Sequence, residues 1–244
     1  MSSSPKTFLV CHGAWSAGWA WKKMHPLMIK AGHRLVTPTY TGLGERAHLA
    51  HPAIDLDTHI TDMLNVIKYE DLRDFVLIGH SYGGMVATGV ADRARDKVKQ
   101  LIYIDAFVPQ DGQSLLDLNE PARSRMQEAA KSGDGWRVPP NPTPSDTSPD
   151  DVAWLNERRV NMPIQCFEQK LKMSAPLTLP RSYIYATRIT PADTFGPFAK
   201  MTKSDPAWRY YEIDASHSPN VTASEALMTM LETIAAQQTI GGER

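Results

Sequence analysis

Cysteine is scarce in this chain: among 244 residues there are only Cys11 and Cys166, too few and too far apart for a disulfide framework or for closely spaced metal ligands. An excess of either charge is missing as well. Lys and Arg number 26 against 27 Asp and Glu, a net charge of -1 with no basic stripe, which removes the usual signature of a binder of nucleic acid or anionic membrane. No apolar run approaches the roughly 20 residues needed to cross a bilayer. The opening stretch, Met1-Ser2-Ser3-Ser4-Pro5-Lys6, has no signal-peptide apolar core, so the expected compartment is the cytoplasm. Internal repeats are absent. What remains is a chain long enough for one domain with a full core, whose expected partner is a small, nearly neutral molecule.

Short apolar runs alternate with helical patterns through the first hundred residues. Thr7-Phe8-Leu9-Val10-Cys11, His33 to Thr37, Phe75 to Ile78 and Val98 to Ile104 have the composition of strands buried on both faces of a parallel sheet. Between them, Trp19 to Lys30 predicts a helix ending at Gly32, and His59 to about Glu70 predicts another, capped by Asp57-Thr58. Two further strands, Arg181 to Thr187 and Trp208 to Ile213, and a closing helix from about Ala223 to Ala236 complete the pattern. This is an α/β architecture with a mostly parallel sheet flanked by helices. Residues 1–108 and 179–244 form its core. Residues 109–178 break the alternation with scattered helical pieces and a proline-rich loop from Val138 to Pro149, and are expected to be a helical lid inserted over the strand ends.

The stretch that carries chemistry is Gly79-His80-Ser81-Tyr82-Gly83, set between the Phe75–Ile78 run and the small-residue helical pattern that begins at Gly84. Strand, Gly-x-Ser-x-Gly, helix is the context in which a serine sits on a strained turn with its hydroxyl projecting from the sheet edge, so Ser81 is the candidate nucleophile. A serine hydroxyl needs a base to take its proton, and the base needs a third group to fix its tautomer. His217, just past the last strand, is the candidate base. His12, Ser81 and Asp105 all follow strand ends and should share the carboxyl-end edge where sites of such sheets form. His12 is expected to hold its own loop rather than to react.

His12-Gly13-Ala14-Trp15, Gly79-His80-Ser81-Tyr82-Gly83-Gly84 and the late His217 resemble the α/β-hydrolase superfamily, and more narrowly its small esterases similar to plant methyl esterases and hydroxynitrile lyases. The resemblance implies an α/β-hydrolase fold, no metal or organic cofactor, and an oxyanion hole of two backbone N–H groups, here those of Ala14 and Tyr82. It places the acid near Thr190, which cannot orient a histidine as a carboxylate does. Asp193 serves if that loop shifts, although an aspartate before a helix is often a cap. Asp105, at the end of the next strand along, is where haloalkane dehalogenase-like members carry theirs. A carboxylate ending a buried strand is costly unless paired, which favours Asp105.

The function expected is hydrolysis of a small carboxylic ester, amides and carbamates included, through an acyl-enzyme. Trp15 and Phe107 are expected to bind substrate, with Tyr82, Trp154 and Phe167 bounding the pocket. Two alternatives are a hydroxynitrile lyase and a small-ligand receptor without turnover. The lyases of this group have threonine where Gly13 stands and lysine where Ser218 stands, which favours hydrolysis.

Overall fold

A strand buried on both faces sends alternate side chains into two different layers. In the computed structural model, which describes residues 4–188 and 192–237, each strand of the main sheet does this. The chain runs β1 (Thr7–Cys11), α1 (Met24–Lys30), β2 (Arg34–Val36), α2 (Leu56–Tyr69), β3 (Phe75–His80), α3 (Gly83–Arg93) and β4 (Val98–Ile104). Next come α4 (Leu115–Leu118), α5 (Glu120–Ser132), β5 (Arg137–Val138), α6 (Pro149–Asn156), β6 (Met162–Pro163) and α7 (Gln165–Glu168). The fold closes with β7 (Arg181–Ala186), α8 (Gly196–Ser204), β8 (Trp208–Ile213), α9 (Pro219–Thr222) and α10 (Ser224–Ala236).

Six strands form one sheet in the order β2-β1-β3-β4-β7-β8, every neighbouring pair parallel. Leu9, Leu77 and Leu101 point into the layer with Met63 of α2, Val86 of α3 and Phe198 of α8. Val10, Ile78 and Ile102 point into the opposite layer, against Met24 and Met28 of α1 and Leu227 and Leu231 of α10. Each such side chain, fully buried, contributes about 1.5–3 kcal/mol. Cys11 lies in the first layer as a buried thiol whose pKa is pushed up by burial.

Three local readings change. The helix expected from Trp19 is interrupted: Gly18–Trp21 is a short 3-10 turn and α1 starts only at Met24. Pro26 is the reason, because proline has no N–H to donate and fits only the first turn of a helix. The cap of α2 is Asp55, not Asp57; its carboxylate accepts the Thr58 N–H at 2.9 Å in a reciprocal capping box. Helix α8, which the sequence signals only through Asp193 as a candidate cap, packs beside β7 and β8. The four segments α4 to α7 and the β5-β6 pair lie between β4 and β7 and meet the strand ends through Leu116, Met126, Met162 and Phe167, all buried.

Helix α3 comes unusually close to the sheet. A Cβ on Gly84 would fall well inside contact distance of the Phe107 carbonyl, whereas one on Gly89 would meet only the side-chain tips of Ile60 and Leu171. Backbone does not yield as a side chain does. Gly84→Ala is therefore expected to lower the unfolding free energy by about 3 kcal/mol and Gly89→Ala by about 1 kcal/mol, read from urea titrations. Equal losses would mean that the α3 turn is not the constraint proposed.

Candidate active site

The carboxyl ends of β1, β3 and β4 each deliver one residue in a left-handed backbone conformation: Trp15 (φ 58°) soon after β1, Ser81 (φ 57°) after β3 and Asp105 (φ 42°) after β4. L-residues adopt this region at a cost of about 1–3 kcal/mol, and such strain collects where a side chain must be aimed. The ladder continues up to the turn. Ser81 N–H still donates to the Ile104 carbonyl and Asp105 N–H to that of Ile184, at 3.3 and 2.8 Å. Past β8, the turn before α9 carries His217.

These elements bring three side chains together. His217 Nδ1 lies 2.7 Å from Asp105 Oδ2 and its Nε2 lies 2.9 Å from Ser81 Oγ. A carboxylate only accepts, so Nδ1–H donates to Asp105 and the Nε2 lone pair faces the Ser81 hydroxyl. Asp105 is 4 % exposed, and its second oxygen takes the Ala186 N–H at 3.3 Å. The loop behind it is held by the Tyr183 hydroxyl, which bridges the N–H and carbonyl of Ala106. Asp193 is not in this chain of hydrogen bonds. It lines the same cavity but accepts the Gly196 N–H at 2.6 Å, closing the turn into α8. Thr190 lies outside the described residues.

Ser81 and His217 sit in a cavity of about 790 Å³. Ala14 and Tyr82 line it, and among the described residues neither backbone N–H has an acceptor. Trp15, Phe107 and Phe167 are on its wall; Trp154 is not, packing edge-on against Trp19 instead. A Cβ on Gly13 would lie 3.2 Å from both Ser81 Cβ and His80 Nδ1, so a larger residue there would crowd the hydroxyl. Two neighbours of His217 carry no signal in the sequence. Phe195 stacks on the imidazole with centroids 4.8 Å apart and planes 7° from parallel, and His80 lies 5.0 Å away while its Nε2–H donates to the His217 carbonyl at 2.7 Å.

Known proteins match most of the chain. The Alpha/beta hydrolase family matches residues 8–229. The chain belongs to that family. A carbendazim hydrolyzing esterase of Nocardioides sp. (strain SG-4G) is 36 % identical over 240 residues, covering 93 % of this chain and 98 % of that protein. Methylesterase 2 of Arabidopsis thaliana is 28 % identical over 140 residues, 53 % of this chain and 48 % of the relative. Among solved structures, an extracellular α/β-hydrolase from a Paenibacillus species superposes with a TM-score of 0.79 at 24 % identity, covering 92 % of this chain and 98 % of that one. Like its relatives, this α/β-hydrolase family member is an enzyme.

Three other histidines of the family member are buried and neutral. His12 donates Nδ1–H to the Gly13 carbonyl at 2.9 Å and accepts the Tyr40 N–H, holding its loop as the sequence suggested. His59 donates Nε2–H to the Thr41 carbonyl at 3.2 Å and accepts the Tyr82 hydroxyl at 2.9 Å. Burial pulls His12, His59 and His80 each down to about 3. A histidine held neutral in the fold gains a proton only on unfolding, so falling pH favours the unfolded chain once it passes the ordinary value near 6.5. The loss continues to about 3. Unfolding free energy is therefore expected to drop between pH 6.5 and 4.5, above the carboxylate range, by about 1.4 kcal/mol per pH unit for each of the three. Urea titrations at half-unit steps measure this, and a flat profile would contradict the burial of these rings.

Proposed function

We propose that this α/β-hydrolase is a serine esterase for small carboxylic esters, with amides and carbamates within its range. One observation carries the reading: a single imidazole hydrogen-bonds both Ser81 Oγ (2.9 Å) and a buried carboxylate (2.7 Å) on the wall of a substrate-sized cavity. Ser81 Oγ attacks the ester carbonyl as His217 Nε2 takes its proton, and the carbonyl oxygen becomes an oxyanion. The N–H groups of Ala14 and Tyr82 receive that charge, which exists only in the transition state and its intermediate; losing one such donor typically costs about 100- to 1000-fold in rate. His217 then returns the proton to the departing alcohol, leaving Ser81 acylated. Water, deprotonated by the same nitrogen, releases the acid and restores the serine. Asp105 keeps Nδ1 protonated and offsets the imidazolium charge.

The stacked ring of Phe195 supports the same cycle, since an aromatic face attracts a cation more than a neutral ring. The segment from α4 to α7 serves as the lid, with Phe167 and Met126 closing the cavity above Ser81. Serine in place of lysine after His217, and glycine at position 13, where any side chain would crowd Ser81, favour hydrolysis over cyanohydrin cleavage. Carbendazim, named for the Nocardioides relative, is a candidate substrate.

Ser81→Ala is expected to reduce p-nitrophenyl acetate turnover at least about 1000-fold, and Asp105→Asn by a similar order. Asp193→Asn should stay within about threefold of the wild type, because its carboxylate holds a turn. Wild-type rates in Ser81→Ala would end the proposal, and a large loss in Asp193→Asn alone would move the acid. Mandelonitrile should release no cyanide above the buffer rate.

A further inference from the structure

Among the described residues, five acidic or arginine side chains reach the cavity wall, and three of them are matched. Asp105 holds His217. Arg188 pairs with Asp214 at 2.8 Å and approaches Asp146 at 3.8 Å. Asp193 is taken up by the Gly196 N–H, beside the Tyr185 phenol that burial and this carboxylate push up to about 12. Among the described residues, Arg125 and Arg159 have no carboxylate within ion-pair distance. Instead both bond to one residue of the proline-rich loop: Arg125 Nη1 donates to Asn141 Oδ1 at 3.1 Å, and Arg159 Nη1 to the Asn141 carbonyl at 2.7 Å.

Arg159 is the more constrained of the two. It is half-buried, and its guanidinium carbon lies 5.9 Å from the centre of the Trp15 ring, next in sequence to Ala14. The following residue, Val160, donates its N–H to the Trp15 carbonyl at 3.4 Å, tying this arginine to the loop that supplies an oxyanion donor. A guanidinium carries five N–H donors, and only one of these has an acceptor among the described residues. Burial without a carboxylate lowers its pKa, the mark of a charge poorly solvated by its surroundings. A half-buried cation with no carboxylate partner among the described residues is unfavourable in the free enzyme, and an incoming carboxylate would relieve it with two parallel hydrogen bonds.

We propose that Arg159, with Arg125 beside it, is an anion subsite in the roof of the cavity that selects esters carrying a second, ionised carboxylate remote from the bond cleaved, such as half-esters of dicarboxylic acids. The inference rests on the esterase reading for the identity of the substrate. The carbon chain or ring joining the two groups lies along Trp15, Phe107, Met126 and Phe167, all on the wall. Asn141 presets the two guanidinium groups, so little side-chain freedom is left to lose on binding.

Monomethyl esters of glutarate, adipate, suberate and terephthalate, compared with neutral methyl esters of matched size, test the selection. In the wild type kcat/KM is expected to favour the half-ester at least tenfold for one or more lengths, falling to near unity in Arg159→Gln and recovering in part in Arg159→Lys. The preference should shrink as salt rises from 0.05 to 0.5 M. Binding of the free dicarboxylates to Ser81→Ala by calorimetry reads the same subsite without turnover; affinity should drop at least tenfold when Arg159→Gln is added. Absence of ester hydrolysis in the wild type would remove the esterase reading while the calorimetric comparison still decides the subsite. Equal kcat/KM for charged and neutral esters at every length, or dicarboxylate affinity unchanged by Arg159→Gln, would overturn the proposal.

Discussion

The site depends on a backbone constraint at two neighbouring strand ends. The ladders from β3 to β4 and from β4 to β7 each extend one residue further, to Ser81 and Asp105, before φ swings to 57° and 42°. The last ladder bond fixes where each residue stands, and the left-handed turn fixes where its side chain leaves the sheet. The two turns are also joined. The Ser81 carbonyl accepts the Gly84 N–H at 3.0 Å, starting α3, and the Phe107 N–H at 3.2 Å, two residues beyond Asp105. Strain of about 1–3 kcal/mol at each residue persists because the surrounding hydrogen bonds and the close seat of α3 leave no other path. A serine and an aspartate far apart in sequence are thereby held at distances that one imidazole can span.

Histidine shows how environment divides one residue type between two roles. His12, His59 and His80 each give a proton to a backbone carbonyl, and burial keeps them neutral. Carbonyls cannot compensate a full positive charge, so these rings act as fixed dipoles that hold the Gly13 loop, the Tyr82 side chain and the His217 backbone. His217 differs in facing a carboxylate, which does compensate the charge, and in leaving its other nitrogen to a hydroxyl. Its plane is set by Phe195 on one side of the network and by the bond from His80 to its carbonyl. His80 thus holds His217 in place while His12 and His59 fix the elements around it.

The inner strands were legible because burial on both faces writes itself as a continuous apolar run, as in Phe8–Cys11 and Leu101–Ile104; the edge strand Trp208–Ile213, only half-buried, shows instead through its aromatic residues. The Gly-x-Ser-x-Gly stretch was legible because its close approaches need glycine; Gly83 and Gly84 face the backbone of Cys11 and Phe107. Helix boundaries were less so, since Pro26 and the Asp55 box decide them locally against the broader periodicity. The choice between Asp105 and Asp193 could not be made from spacing, because it turns on β4 lying between β3 and β7 and on Asp193 closing a local turn. Phe195 left no trace at all. Its stacking on His217 is a contact between a loop before α8 and a turn after β8, and no periodicity encodes it.

A near-neutral composition suggests a near-neutral ligand, whereas the subsite proposed for the cavity points to an anionic one. Net charge averages over the whole surface, whereas a ligand meets only the groups that converge on one space. Here the floor is built from hydrogen bonds that satisfy its polar groups, Asp105 with His217 and buried histidines with carbonyls. The roof is built differently. Pro139, Pro140, Pro142 and Pro144 fix φ at four positions of a loop that forms no helix or strand across Asn141, which lowers the entropy lost in ordering it. That loop can therefore hold Asn141 as a common acceptor for two cations without any carboxylate to draw them together. Conformational restriction in the roof takes the place that paired hydrogen bonds have in the floor, and it leaves the Arg125 and Arg159 charges without a carboxylate among the described residues.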